Sequence, residues 1–192
     1  NPILRKKSVV VGKIDKKVLE FIKNLEETLV KQRNPRGIGL SAPQVGKNWR
    51  IFATYLPKNS VTDRKDLDKS PSSIQMFINP KVISVSKKLT LGGTKSRSGS
   101  DGKEPFLEGC LSIPKIYGPV YRHQWVKLKF SIVNSQFSIA EKMAKFTDFP
   151  ARVIQHELDH LDGILFTDRS IKNKLPLYED QNDQLVPISP AY

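Results

Sequence analysis

Two of the three histidines in this chain stand four residues apart, in His156-Glu157-Leu158-Asp159-His160. On an α-helix that separation puts both rings on one face, with Cβ atoms about 5–6 Å apart, so that one metal ion can be reached by both. The stretch predicts a helix from Asp148, as N-cap, to about Leu161, with Phe149, Val153 and Leu161 among its apolar positions. The plainer alternative is a pair of surface histidines on an ordinary charged helix.

Two imidazoles make an incomplete metal site, so a third ligand has to come from elsewhere. No histidine follows His160, and Glu179 lies in a polar tail segment. The one cysteine, Cys110, lies upstream in Glu108-Gly109-Cys110-Leu111-Ser112-Ile113-Pro114. Alone, a cysteine reads as a small buried hydrophobe. Beside a two-histidine helix it reads as a thiolate ligand for Zn²⁺ or Fe²⁺. One Cys, two His and an open water position would make a catalytic geometry rather than a closed structural one.

A third stretch runs from Gly37 to Gly46. It is either a plain helix-to-strand connection or a loop whose glycines admit a peptide backbone, with Gln44 offering an amide donor to a developing oxyanion.

The rest of the chain supplies a frame. Val18, Ile22, Leu25 and Leu29 form one helical stripe opened by Asp15, and Asn34-Pro35 should stop it. Strands are expected near 50–56, 74–78 and 81–88, the last two split by Asn79-Pro80. Two more, about 120–133 and 136–147, meet near Asn134-Ser135. Residues 57–73 and 87–105 are polar, the second rich in Gly and Ser, and read as surface insertions. At 192 residues this is one α+β domain, 1–192, with antiparallel or mixed sheets around a central metal-binding helix and a helix near the N-terminus.

Composition narrows the partners. No apolar run exceeds three residues, which excludes a transmembrane helix, and a single cysteine cannot form an internal disulfide. The net charge is +13, and residues 1–47 hold eleven Lys or Arg against four acids. Such a surface either meets polyanions such as ribosomal RNA or is simply a solvated lysine-rich face. No sequence-specific nucleic-acid motif and no membrane partner is expected. A start at Asn1 rather than Met suggests processing or trimming.

The three stretches, in this order, resemble the peptide deformylases, which show a GxGLAAxQ loop, an EGCLS segment and a QHExDHL helix. Here they read Gly37-Ile38-Gly39-Leu40-Ser41-Ala42-Pro43-Gln44, then Glu108 to Ser112, then Gln155 to Leu161, continuing as Asp162-Gly163-Ile164-Leu165-Phe166. Asn1-Pro2-Ile3-Leu4-Arg5 is similar to the start of the family domain. Ser41 replaces a frequent Ala, Tyr117 stands where some members carry Arg, and Arg152 where bacterial members are often apolar.

The resemblance implies hydrolytic removal of the formyl group from N-formylmethionyl nascent polypeptides. It implies one divalent metal held by Cys110, His156 and His160, Fe²⁺ in cells and Zn²⁺, Ni²⁺ or Co²⁺ in preparations. Glu157 would be the general base and acid, and the Gln44 amide and the Leu111 N–H the oxyanion donors. Substrate would lie along Ile38, Gly39, Leu40 and Gly109, its methionine side chain against Phe149 and Val153. Transient ribosome association is expected. The lysine-rich composition and insertions favour a plastid- or apicoplast-type organelle over a bacterial cytoplasm. The competing readings are a metallopeptidase and a basic ribosome- or RNA-binding homologue with a structural metal site.

Overall fold

Asp15 begins α1 (Lys16–Lys31) as expected, its carboxylate accepting from the Val18 N–H at 3.0 Å. Val18, Ile22, Leu25 and Leu29 are buried. The helix ends at Gln32, ahead of Asn34-Pro35, and that pair lies outside the residues that the computed structural model describes: 1–33, 36–57, 72–92, 94–95, 103–133 and 139–188.

In chain order the first strands are β1 (Gly39–Ser41), β2 (Ile51–Pro57), β3 (Ser72–Val85), β4 (Leu89–Thr90), β5 (Thr94–Lys95) and β6 (Lys103–Glu104). They are followed by β7 (Leu107–Cys110), β8 (Ile113–Pro119), β9 (Arg122–His123), β10 (Trp125–Val133) and β11 (Ile139–Thr147). After α2 (Asp148–Leu161) and α3 (Phe166–Lys172) come β12 (Leu177–Gln181) and β13 (Gln184–Ile188). One sheet has the order β1-β2-β3-β10-β11, and a second the order β13-β12-β8-β7. Among the described residues every strand pair is antiparallel, the one parallel contact being an isolated bridge between Val9 and Trp49.

Asn79-Pro80 does not split β3. Asn79 takes φ +50°, and the register shifts opposite Lys129 and Ser131, so a bulge absorbs the proline that a regular ladder would exclude. The Asn79 side chain then closes on the backbone of Val11, accepting from its N–H and donating to its carbonyl, each at 2.8 Å. β2 and β3 also run into the segment read as an insertion at 57–73, whose residues 58–71 lie outside those described. The 87–105 segment carries β4, β5 and β6; its residues 93 and 96–102, like the Asn134-Ser135 junction, also lie outside them.

The first sheet is sandwiched between helices. α1 buries Leu40, Ile51, Ala53, Met76 and Ile78 on one face. On the other, Phe52, Phe77, Val126, Leu128 and Phe130 pack against Ala151, Ile154, Leu158 and Leu161 of α2. Thr147, not Asp148, precedes the first helical residue; Asp148 has φ +53° and its N–H donates to the Gln124 carbonyl at 2.8 Å. α2 is buried around most of its circumference, so its histidines are not surface groups: His160 is 1% exposed.

Where a polar tail was expected, β12 and β13 form a hairpin with Glu179 opposite Val186, and β12 continues onto β8. The N-terminal segment is stitched to the end of α2. The Ser8 N–H donates to the Leu161 carbonyl at 2.8 Å, Arg5 pairs with Asp168, and Gly163 (φ +73°) lies so close to Arg5 that a Cβ would stand 2.6 Å from its carbonyl oxygen. Among the described residues no helix is long and apolar enough to cross a membrane.

Candidate active site

Alternation along β7 sets the first wall of the site: Glu108 is buried, and Cys110 ends the strand at a bulge, where the chain turns through Leu111 and Ser112. α2 supplies His156, Glu157 and His160 from successive turns. A 3-10 turn after β1, Ala42–Val45, supplies Gln44. The strands β1 and β7 are sheet edges, and these edges flank the site.

Cys110 Sγ lies 3.2 Å from His160 Nε2, and one donor atom each from Cys110, His156 and His160 fall within 4.8 Å of one another. The His156 Nδ1 contacts Glu108 Oε2 at 3.0 Å, which orients the ring and leaves the other nitrogen for the cluster. The Ser112 N–H donates to the Cys110 sulfur at 3.4 Å. Gln44 Oε1 accepts from the N–H and the hydroxyl of Ser41, at 2.8 Å each. Its NH₂ therefore faces the site, 3.6 Å from Cys110 Sγ and 3.3 Å from Ser112 Oγ.

The donor chemistry fits a divalent transition metal, with a soft sulfur, two imidazole nitrogens and a cleft leaving a side open. The buried Glu157 Oε2 and His160 Nδ1 have no hydrogen-bond partner among the described residues. Burial, with the charges of His156 and Arg122, pushes His160 down to about 3, so it stays in the neutral, ligating form. Burial alone would lower His156, but contact with Cys110 and Glu108 shifts it up. Burial raises the Glu157 carboxyl to about 7, against the opposing His156 charge and Ser41 hydrogen bond.

A buried ionic chain supports this site, and it was not read from the sequence. Arg122 donates to both oxygens of Glu108, at 2.9 and 2.8 Å, and also pairs with Asp159, which in turn pairs with Arg169. Arg152 donates to Glu108 at 2.9 Å and to the Val120 and Thr90 carbonyls. Burial would raise Glu108, yet the Arg122 guanidinium beside it holds it well below the usual carboxylate range. The signal was present, in an acidic residue two before the cysteine and an arginine on the helix, but its partners lie 14 and 44 residues away.

The cleft has a volume of about 490 Å³ and is lined by Ile38, Gly39, Gln44, Gly109, Cys110, Leu111, Phe149, Val153, His156 and Glu157. Phe149 and Val153 form an apolar patch with Ile38, Leu56 and Phe106. Leu40 does not line the cleft; its side chain is buried under α1. A Cβ on Gly39 would stand 2.3 Å from Glu157 Oε1, closer than any real contact. Gly39→Ala is therefore expected to lower kcat by about 10–100-fold through displacement of that carboxyl, with little change in Tm. Steady-state kinetics and a thermal melt on the same sample check it.

A cysteine sulfur, two imidazoles, a buried carboxyl and an amide donor around an open cleft make the site of a metal-dependent amide hydrolase. A family profile described as polypeptide deformylase matches residues 1–175. Peptide deformylase 2 of Nostoc sp. is 33% identical over 191 residues, covering 97% of this chain and 90% of that protein. The peptide deformylase of Pseudothermotoga lettingae is 36% identical over 168 residues, covering 88% and 77%. Among solved structures, peptide deformylase 1B of Arabidopsis thaliana matches with a TM-score of 0.65 and 32% identity, over 88% of this chain and 77% of that one. The chain belongs to the polypeptide deformylase family. Its activity is removal of the N-terminal formyl group from nascent polypeptides.

Proposed function

We propose that Cys110, His156 and His160 hold one divalent ion, Fe²⁺ in the cell, with Zn²⁺, Ni²⁺ or Co²⁺ able to use the same donors. The observation that carries this is the convergence of the three donor atoms within 4.8 Å beside Glu157, whose Oε2 has no hydrogen-bond partner among the described residues. When bound, the ion supplies Lewis-acid polarisation and acidifies water.

The chain's own groups do the rest. Glu157 takes a proton from the water whose oxygen adds to the formyl carbon. The NH₂ of Gln44 and the N–H of Leu111 donate to the oxyanion that results. Glu157 then delivers its proton to the amine nitrogen as the C–N bond breaks, and formate departs. The formylated peptide adds to the free edges of β1 and β7, along Ile38, Gly39 and Gly109, a mode supported by the unpaired sheet edges beside the cleft. Its methionine side chain enters the apolar patch of Phe149 and Val153.

The enzyme associates transiently with ribosomes and works in a plastid-type organelle. That reading rests on the net charge of +13 and the polar segments at 57–73 and 87–105 of a single catalytic domain, 1–192. The bacterial cytoplasm is the alternative.

Formate release from a short N-formylmethionyl peptide, compared with its unformylated form on anaerobically prepared protein of known metal content, tests the whole reading. Turnover of the unformylated peptide alone, or of neither, would overturn it. Iron-loaded enzyme is further expected to lose activity in air faster than under argon, since Fe²⁺ and its thiolate ligand are both oxidisable. Parallel time courses under air and argon check this.

A further inference from the structure

The face of the first sheet that α1 covers over β1–β3 continues, with no helix over it among the described residues, across β11 and the Trp125–Lys129 part of β10. Ile78, packed under α1, stands opposite Ser131, and Lys129 and Lys127 follow at two-residue intervals on the same face of β10. The pairing extends this face into two rows: Lys81, Lys129 and Met143, then Ser84, Lys127 and Lys145. Lys81, Met143 and Lys145 are exposed, and Lys127 and Lys129 half-exposed. The alternate residues Val126, Leu128 and Phe130 point the other way, into the core under α2.

Both rows set like charges directly opposite one another, Lys81 against Lys129 and Lys127 against Lys145, an arrangement that weakens strand pairing. Lysines guard edge strands against aggregation. That accounts for Lys145 on β11, but Lys127 and Lys129 lie on β10 and Lys81 on β3, both interior strands. Glu141 neutralises only Lys129, at 2.8 Å, while the Lys145 ammonium sits 4.3 Å from the Trp125 ring. Lys81 and Lys127 have no ion pair among the described residues.

We infer that this lysine face is a docking surface for the phosphate backbone of RNA, an inference that rests on the proposed ribosome association and gives it a location. Neighbouring lysines are roughly 5 Å apart across strands and 6–7 Å apart along β10, a flat array of cations suited to a folded polyanion. The substrate is a nascent polypeptide, met where RNA is the prevailing surface. The lysines lie on the opposite face of the sheet from α2, so RNA bound there leaves the cleft open to the emerging chain.

Lys127→Glu tests this with two readouts that move in opposite directions. Opposite Lys145 it makes an attractive pair, so Tm is expected to rise by about 1–2 °C. The affinity for a fluorescent RNA stem-loop at ~0.1 M salt is expected to fall about tenfold, and the slope of log K against log salt by about 1. Hydrolysis of a short formylated peptide should not change. Lys172→Glu on α3, which packs on β7, β8 and β12 of the other sheet, has the same net charge and should retain RNA binding. Equal losses in the two variants, or no loss in Lys127→Glu, would overturn the inference. So would wild-type protein that binds phosphatidylserine vesicles but not the stem-loop. Wild-type protein that fails to sediment with ribosomes overturns the association itself. Wild-type and Lys127→Glu proteins that sediment equally overturn only the lysine face.

Discussion

Glu157→Ala is expected to lower kcat on a formylated peptide by about three orders of magnitude while the protein keeps its metal. Glu157 is 3% exposed and its Oε2 has no partner among the described residues. Nothing in the fold depends on that oxygen, so it is placed for a proton in transit. Burial holds the folded carboxyl near 7, above its ordinary 4.5. In metal-free protein the ionised form thus costs stability at any pH above that ordinary value, and most of all beyond the folded one. Glu157→Gln, which keeps the shape and removes the charge, should melt no lower than wild type at pH 8 when both are metal-free, yet be equally inactive. A near-normal kcat in either variant would remove Glu157 from its role.

Glu108→Ala should be the most damaging substitution outside the three proposed metal ligands. It leaves Arg152, 5% exposed, with a buried charge and no carboxylate partner among the described residues, and Arg122, 3% exposed, with Asp159 alone, a defect that costs about 3–5 kcal/mol. For a chain of this size Tm should fall by about 10 °C or more. It also frees the His156 ring, so metal affinity should drop about 10–100-fold even where the protein still folds. Thermal melts and metal titrations separate the two losses, and an unchanged Tm would contradict the ionic chain. The sign of the pH dependence follows from the depressed carboxyl. Its stabilisation is complete above the ordinary value of 4.5 and is lost as pH falls below it toward the lower folded value.

Local periodicity made both long helices legible, because Val18, Ile22, Leu25 and Leu29, and the paired histidines, each repeat within a turn. The convergence of Cys110, His156 and His160 was legible because the chain offers only one thiol and three imidazoles. Pro80 misled because a proline normally ends a ladder, and only the Asn79 bulge and its grip on Val11 let β3 run through. The position of Leu40 in a glycine-rich loop does not say which way its side chain turns, and that side chain packs under α1. The Glu108 chain and the pairing of β12 onto β8 were hidden for one reason: each is defined by partners distant in sequence, and the polar composition of 177–188 concealed the β12–β13 hairpin as a sheet extension.

The stitching of the N-terminal segment to Asn79, Leu161, Gly163 and Asp168 imposes an order in time. During synthesis residues 1–11 emerge about 150 residues ahead of their partners near the end of α2. This stretch is thus made early and secured late, and the turn behind His160 closes only when the two meet. An enzyme that works on chains still being made has a site whose rear wall waits for two distant parts of its own chain to join.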